Sequence, residues 1–125
     1  MLQHIGLESR DKDTADRFFA AVLGLEEKKT ATLSPELNFA IFGMEGPVEM
    51  VVYENEQMSV EVFISGNTVP ASYGHACLVV PDREALMKRC RTHELPVVTV
   101  QKGDKELVFI RDFTGNLYEI KEGTA

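Results

Sequence analysis

The chain has 125 residues, of which 44% are hydrophobic and 26% charged, and its formal net charge is −7 at pH 7. Its length and composition are those of one ordinary globular domain, and its acidity disfavours nucleic acid and anionic membranes as partners. With no secretory signal, no apolar run of roughly 20 residues and only two cysteines, Cys77 and Cys90, we expect a cytoplasmic protein with reduced thiols.

The first half of the sequence predicts a strand, a helix and three further strands. HIGLES alternates apolar and polar residues as a half-buried strand does, and Asp11 is placed to cap the helix that ends at Gly24. Apolar residues of this helix recur at i, i+3, i+4, i+7 and i+8 spacing: Ala15, Phe18, Phe19, Val22 and Leu23. The strand-like runs that follow are LEEKKTATL, ELNFAIFG and VEMVVYE.

The second half predicts the same series of elements. HACLVV is a strand, and Asp82 is placed to cap a helix from about Arg83 to His93. Three strand-like runs again follow, PVVTVQK, KELVFI and NLYEIKE. A single α+β domain over residues 1–125, made of two tandem βαβββ units, is therefore expected.

The spacing within the two halves supports this repeat. Asp11 lies seven residues after His4, and Asp82 lies seven residues after His75. The boundaries predicted from the pattern are about 1–54 for the first unit and about 73–122 for the second. Residues from about 55 to 72 are predicted to be a connector with a short strand at SVEVFI.

One His and one Glu occupy matching positions in each half. Glu49 follows His4 by 45 residues, and Glu119 follows His75 by 44. Taken singly, the four are weak candidates, because a His near the N-terminus is usually an ordinary surface or strand-edge residue. Glu49 and Glu119 lie among apolar strand residues, where a carboxylate is rarely buried unless it is paired or bound to a metal. Together, two imidazoles and two carboxylates are a mixed N/O set that suits Ni, Co, Mn, Fe or Zn. The symmetry therefore predicts that these four residues bind one divalent metal ion.

The sequence resembles the vicinal oxygen chelate superfamily, which groups glyoxalases, bleomycin-resistance proteins and extradiol dioxygenases. RFFAAVLGLEE is similar to the family's F-Y-x-x-x-L-G-L helix end, and YGHACLVVPD is similar to the start of its second unit. FIRDFTGNLYEIKE is similar to its closing F-x-D-P-x-G-N-x-x-E-L motif, with Phe113-Thr114 where Pro-Asp is more usual. The resemblance implies a cup-shaped mixed sheet, a small-molecule substrate and a homodimer.

By ligand identity the resemblance is nearest to glyoxalase I, which has a His-Glu-His-Glu set. It implies a metal-dependent lyase or isomerase that transfers a proton through a metal-stabilised enediolate of a small oxo-compound or thiol adduct. Glu119 would be the base, with Glu49 as its counterpart. Epimerases of the methylmalonyl-CoA type usually have Gln at the Glu49 position, and fosfomycin-resistance enzymes and dioxygenases use two His and one Glu.

Two alternatives to the glyoxalase hypothesis stay open. One is a CoA-thioester epimerase of the same superfamily, and the other is a non-catalytic small-molecule binding protein of the drug-resistance kind. Glyoxalase I generally has Arg four residues after its first His, where it helps to bind the glutathione carboxylates. Here that position is Glu8, and Arg10 is displaced by two residues. An acidic side chain there would repel glutathione.

Overall fold

The structure is a computed structural model that describes residues 1–123, and the chain divides into two compact units, Met1–Thr68 and a second that begins at Val69. The first unit contains β1 (Ile5–Ser9), α1 (Lys12–Ala15), a π-helix (Asp16–Val22), β2 (Glu26–Leu33), α2 (Pro35–Phe42), β3 (Val48–Glu54) and β4 (Ser59–Ile64). The second contains β5 (Ala76–Val80), α3 (Arg83–Thr92), β6 (Val97–Lys102), β7 (Lys105–Arg111) and β8 (Leu117–Glu122). No helix within residues 1–123 is long and apolar enough to cross a membrane.

Both units contain a four-stranded mixed sheet with the same topology. The strand order is β1-β4-β3-β2 in the first sheet and β5-β8-β7-β6 in the second. In each sheet the first and last strands of the unit are parallel neighbours, and the other pairs are antiparallel. The α+β class and the paired βαβββ organisation predicted from the sequence are therefore confirmed.

In the first unit, the core lies between one face of the sheet and the π-helix. Asp11 caps α1 by accepting a hydrogen bond from the Thr14 N–H at 2.7 Å. The π-helix buries Phe18 and Phe19, and the Phe19 ring stacks on Tyr53 of β3 with the ring centroids 5.3 Å apart. The apolar face predicted from the helical spacing of the sequence is thus the buried face of this helical segment.

In the second unit, α3 supplies the helical side of the core. Asp82 caps it, since its carboxylate accepts a hydrogen bond from the Ala85 N–H at 2.9 Å. The buried side chains of α3 are Leu86, Met87 and Cys90. Those of the sheet are Leu78, Val108, Ile110, Tyr118 and Ile120. The predicted helix is confirmed, and it ends one residue before His93.

The run ELNFAIFG, predicted to be a strand, is instead the helix α2. Ser34 caps its first turn by accepting a hydrogen bond from the Leu37 N–H at 3.2 Å, and Pro35 follows as the first helical residue. Gly43 ends the helix in the left-handed conformation, with φ of +69°. Because strong start and stop signals flank a short apolar run, helix is favoured over strand here.

The run SVEVFI, placed in the predicted connector, is the strand β4. It pairs in parallel with β1 and antiparallel with β3, so it lies inside the first sheet. The short strand expected there is confirmed, but it is an inner strand of the first unit. The first unit therefore extends beyond residue 54, and β4 is the counterpart of β8.

Candidate metal centre

His4 and Glu61 meet in the first unit across the parallel pair of β1 and β4. The His4 Nε2 atom lies 3.3 Å from the Glu61 Oε1 atom. Gly6, two residues after His4, is the register partner of Glu61. Alternate residues of a strand share a face, so Glu61 points away from the core face that buries Val60 and Val62. The pair is therefore carried on the face of the sheet opposite to the core.

His75 and Glu119 occupy the equivalent positions in the second unit. Cys77 of β5 is the register partner of Glu119 on β8, and His75 precedes Cys77 by two residues. His4 stands in the same relation to Gly6 and Glu61. The topology therefore places one His and one Glu at matching points of the two sheets.

Glu49 lies elsewhere in the first sheet. It belongs to β3, where its register partner is Ile64, whereas Val52 is the partner of Glu61. Glu49 and Val52 are three residues apart on β3, so Glu49 lies about 10 Å along the sheet from the position of Glu61. Glu49 also shares its strand face with Val51, which is part of the core face, although Glu49 itself is exposed at the start of the strand. The structure thus does not bring Glu49 beside His4.

Glu61, which the sequence pattern did not single out, can be located from the sequence. The connection between β2 and β3 spans residues 34–47 and contains α2, while only residues 103–104 join β6 to β7. This insertion moves the last strand of the first unit further along the chain. SVEVFI alternates as a strand and has Glu61 at its centre, so an inserted helix after Ser34 would have identified β4 as that last strand.

The orientation of the His75 ring is fixed by a backbone contact. Its Nδ1 atom lies 2.9 Å from the carbonyl oxygen of Tyr73. A carbonyl oxygen only accepts hydrogen bonds, so Nδ1 carries the hydrogen and, in the neutral ring, Nε2 carries the lone pair. Backbone contacts of this kind commonly orient metal-binding imidazoles. Nε2 of His75 is thus the nitrogen available for a metal.

The strand that carries Glu119 is anchored by the turn before it. The buried Asp112 carboxylate accepts hydrogen bonds from the backbone N–H groups of Thr114, Gly115 and Asn116, at 2.9, 2.9 and 3.0 Å. It also accepts from the Asn116 side chain at 2.8 Å and from the Tyr118 hydroxyl at 2.9 Å. Burial and the Asp112 carboxylate raise the pKa of Tyr118 well above its usual value. This turn is the FIRDFTGN motif, and it holds the start of β8 in place.

The donor atoms of the His4–Glu61 pair are spaced as two ligands of one divalent metal ion would be. Ligand atoms about 2.0–2.2 Å from one ion, at angles of 90° to 109°, lie roughly 2.8–3.6 Å apart. The 3.3 Å between His4 Nε2 and Glu61 Oε1 falls within that range. Residues 1–123 contain no group of three or more His, Cys, Asp or Glu side chains placed to hold a metal ion. Among the described residues, the candidate ligands that the structure brings into contact are His4 and Glu61.

Comparisons with known proteins agree with this fold. The sequence matches no protein-family model and no curated protein. The fosfomycin resistance protein FosX from Listeria monocytogenes, in a hexagonal crystal form, has a TM-score of 0.74 and 13% identity, covering 99% of this chain and 93% of that one. A glyoxalase family protein from Bacillus cereus has a TM-score of 0.73 and 19% identity, covering 99% and 94%.

A third solved structure contains ligands. It is a mutant of the Listeria monocytogenes FosX complexed with Mn(II) and 1S,2S-dihydroxypropylphosphonic acid. Its TM-score is 0.74 at 16% identity, with 99% of this chain and 92% of that one covered. The resemblance noted in the sequence is thereby confirmed at the level of the fold. The chain has the fold of the vicinal oxygen chelate superfamily, to which the FosX and glyoxalase family proteins belong.

Proposed function

We propose that this protein is a metal-dependent lyase or isomerase of the glyoxalase I type. Its ligands for one divalent ion would be His4, Glu61, His75 and Glu119, with Glu61 in the role that the sequence pattern gave to Glu49. The observation that carries the proposal is the matching His–Glu placement in the two units, with His4 and Glu61 in contact at 3.3 Å.

The donor set and one solved structure guide the choice of metal. Two imidazoles and two carboxylates suit Ni, Co, Zn, Mn or Fe. The FosX of similar fold has been solved with Mn(II). Mn(II) is therefore the first ion to test for this chain, and Ni(II) the second.

The proposed chemistry is proton transfer at a carbon beside a carbonyl group. When bound, the metal ion would act as a Lewis acid that stabilises negative charge on a substrate oxygen. Glu119 would remove the proton and return it to the neighbouring carbon or to the other face of the same carbon. Its register partner on β7 is Phe109, a half-buried aromatic residue. Glu61 would be the counterpart of Glu119.

The residue Glu8 limits the class of substrate that we propose. It lies on β1 on the same strand face as Gly6, and its register partner is Phe63. A carboxylate at this place repels the carboxylates of glutathione. The substrate that we propose is therefore a small oxo-compound, or a thiol adduct of one, without a polyanionic carrier.

Metal content is the first test of this proposal. Protein purified without an affinity tag or added metal should contain about one equivalent of a divalent metal per chain, and the His4→Ala and His75→Ala variants should contain none. The Glu49→Gln variant is the matched control and should keep its metal. Protein that neither contains nor takes up metal would overturn the enzymatic proposal and leave a binding protein.

Proton exchange with solvent is the second test. Metal-loaded protein in deuterated water would be incubated with the methylglyoxal–glutathione adduct, free methylglyoxal, methylmalonyl-CoA and fosfomycin, and followed by NMR. Isomerisation or deuterium incorporation that is lost in Glu119→Gln would support the proposal. Turnover of methylmalonyl-CoA alone would favour the epimerase alternative, and full activity of Glu119→Gln would remove that residue from the role of base. Light scattering of the same samples tests the expected homodimer.

A further inference from the structure

The helix α2 exposes an unusual number of large apolar side chains. Only Asn38 of its eight residues is buried. The large exposed apolar residues of the helix and the loop after it are Leu37, Phe39, Ile41, Phe42 and Met44. A helix that is apolar on several sides is normally covered, and a contiguous exposed apolar surface commonly marks a binding site.

The helix is firmly held although its apolar side chains do not form the core. Ser34 caps it, and Gly43 ends it in the left-handed conformation. The buried side chain of Asn38 donates a hydrogen bond to the Gly46 carbonyl at 2.9 Å, which ties the helix to the loop before β3. Its conformation is therefore set by polar contacts, and its apolar side chains remain available to a ligand.

The end of α2 lies on the face of the sheet that carries His4 and Glu61. The Phe42 ring packs edge-to-face against Phe63 of β4, with ring centroids 5.0 Å apart. Phe63 follows Glu61 by two residues and so shares its face of the sheet. The same ring covers Gly6, because its Cε2 atom lies 3.5 Å from where a Cβ of Gly6 would stand. An apolar surface thus continues from α2 to the candidate ligands.

The charge around this surface selects against anionic groups. Residues 1–68 contain twelve acidic and five basic side chains, which accounts for the whole net charge of −7. Phe63 lies beside acidic residues in two directions, since Glu8 is its register partner on β1 and Glu61 is two residues away on its own strand. Apart from the group that would bind the proposed metal ion itself, an uncharged apolar group is therefore favoured here over a phosphonate, a phosphate or a carboxylate.

We propose that α2 and Phe63 form a binding surface for an uncharged alkyl or aryl group of the substrate, next to the His4–Glu61 pair. The inference depends on the proposed function for the place of the reacting atoms. Phe42 is then a specificity-determining residue, because its ring completes the surface at the point where it meets Phe63. Substrates with a neutral aromatic or branched alkyl group should bind better than those with a methyl group.

The first experiment does not require a metal. The probe is N-phenyl-1-naphthylamine, an uncharged fluorophore, titrated into the full chain. We expect saturable binding that is weakened about fivefold or more in Phe42→Ala, the loss that a single aromatic pair contributes. The matched control is Val100→Ala, which shortens a similarly exposed apolar side chain of the second unit and should leave the affinity unchanged.

The second experiment links the surface to the metal. Acetohydroxamate and benzohydroxamate have the same metal-chelating group and differ in the methyl or phenyl group that it carries. With Mn(II)-loaded protein, calorimetry should give at least about fivefold tighter binding of benzohydroxamate, and Phe42→Ala should remove that preference while the affinity for acetohydroxamate stays the same.

The outcomes separate this inference from the proposed function. Fluorophore binding that is absent, or equal in Phe42→Ala and wild type, would overturn the inference. A dimer that dissociates in Phe42→Ala while the fluorophore does not bind would also overturn it, because a second copy would then cover α2. Fluorophore binding that depends on Phe42, together with no binding of either hydroxamate, would support the apolar surface and overturn the metal-dependent function.

Discussion

The Nε2 atom of His4, the residue before β1, and the Oε1 atom of Glu61 on the parallel neighbour β4 lie 3.3 Å apart. Their side chains are 39% and 28% exposed. An ion pair with this exposure contributes only about 0–1 kcal/mol to stability. The contact therefore adds little to the fold, and variants of either residue can test the proposed metal binding without a large loss of stability.

Glu61 and Glu49 provide a matched pair for testing the proposed metal binding. We expect Glu61→Gln and His4→Ala to weaken Mn(II) binding at least about 100-fold, because each removes a ligand, whereas outer residues typically cost 10- to 100-fold. Glu49→Gln should bind Mn(II) as the wild type does, because the register partner of Glu49 is Ile64, away from His4. Isothermal titration calorimetry measures all three affinities.

The contrary result would be a loss of affinity in Glu49→Gln with none in Glu61→Gln. Thermal unfolding of the apoproteins serves as the control for folding. Glu49 is exposed and Glu61 is partly exposed, so both carboxylates can become amides at little cost to stability.

Much of the fold could be predicted from local sequence signals. The caps at Asp11 and Asp82, the helical spacing of Phe18 and Phe19, and the Gly24 stop all depend on residues close together in the chain, and the structure contains each of them. Such interactions are local and follow from side-chain chemistry and helical periodicity.

The site could be predicted only in part, because strand neighbours are set by non-local pairing. Which strand lies beside β1 depends on the whole topology, and the run 36–43 fits a buried strand or a helix equally well by apolar content. If residues 36–43 form a strand, β3 is the last strand of the first unit, and Glu49 is then predicted to be the counterpart of Glu119. Once α2 is known to be a helix, β4 becomes the partner of β1 and Glu61 takes that place.

Gly115 is expected to tolerate no side chain. Its φ is +112°, and a Cβ built on it would stand 2.5 Å from the carbonyl oxygen of Val69. That neighbour is a backbone atom, whose own residue is tied by its N–H to the Thr114 carbonyl at 2.8 Å. We expect Gly115→Ala to lower the free energy of unfolding by at least about 3 kcal/mol, from backbone strain and overpacking together, as measured by urea denaturation.

Gly103 is the control for backbone strain alone. Its φ is +64°, and nothing lies within 4 Å of where its Cβ would be. Gly103→Ala should therefore cost only about 1–2 kcal/mol. Equal losses in the two variants would mean that the close approach of Val69 to Gly115 adds nothing.

Asp16 is expected to contribute to the loss of stability in acid. Burial raises the pKa of its carboxyl, but hydrogen bonds from the Lys12 ammonium at 2.7 Å and the Tyr53 hydroxyl at 2.6 Å outweigh burial and hold that pKa below its usual value. A carboxyl with a lower pKa in the folded chain stabilises the fold above its unfolded pKa of about 3.9, and this stability is lost as the pH falls through the folded value.

The Asp16→Asn variant should therefore lose less stability than the wild type between about pH 5 and pH 2. Tyr53→Phe removes one of the two donors and should give an intermediate dependence. Urea midpoints measured across this range test both variants. If Asp16→Asn and the wild type showed the same acid dependence, the hydrogen bonds to Asp16 would have no effect on the pH dependence of stability.

The two cysteines are expected to differ in reactivity and in their effect on the site. Burial raises the pKa of the Cys90 thiol on α3, while Cys77 is exposed on β5. The folded protein should therefore react with one equivalent of N-ethylmaleimide, and with a second only in urea. Cys77 is the register partner of Glu119, so a group attached to its sulfur would disturb a proposed metal ligand. Alkylated protein should therefore bind Mn(II) at least about tenfold more weakly, because changes in residues that surround the ligands typically cost 10- to 100-fold in metal affinity. The Cys77→Ser variant should be unaffected by the reagent, and an unchanged affinity after alkylation of the wild type would argue against a metal ion at Glu119.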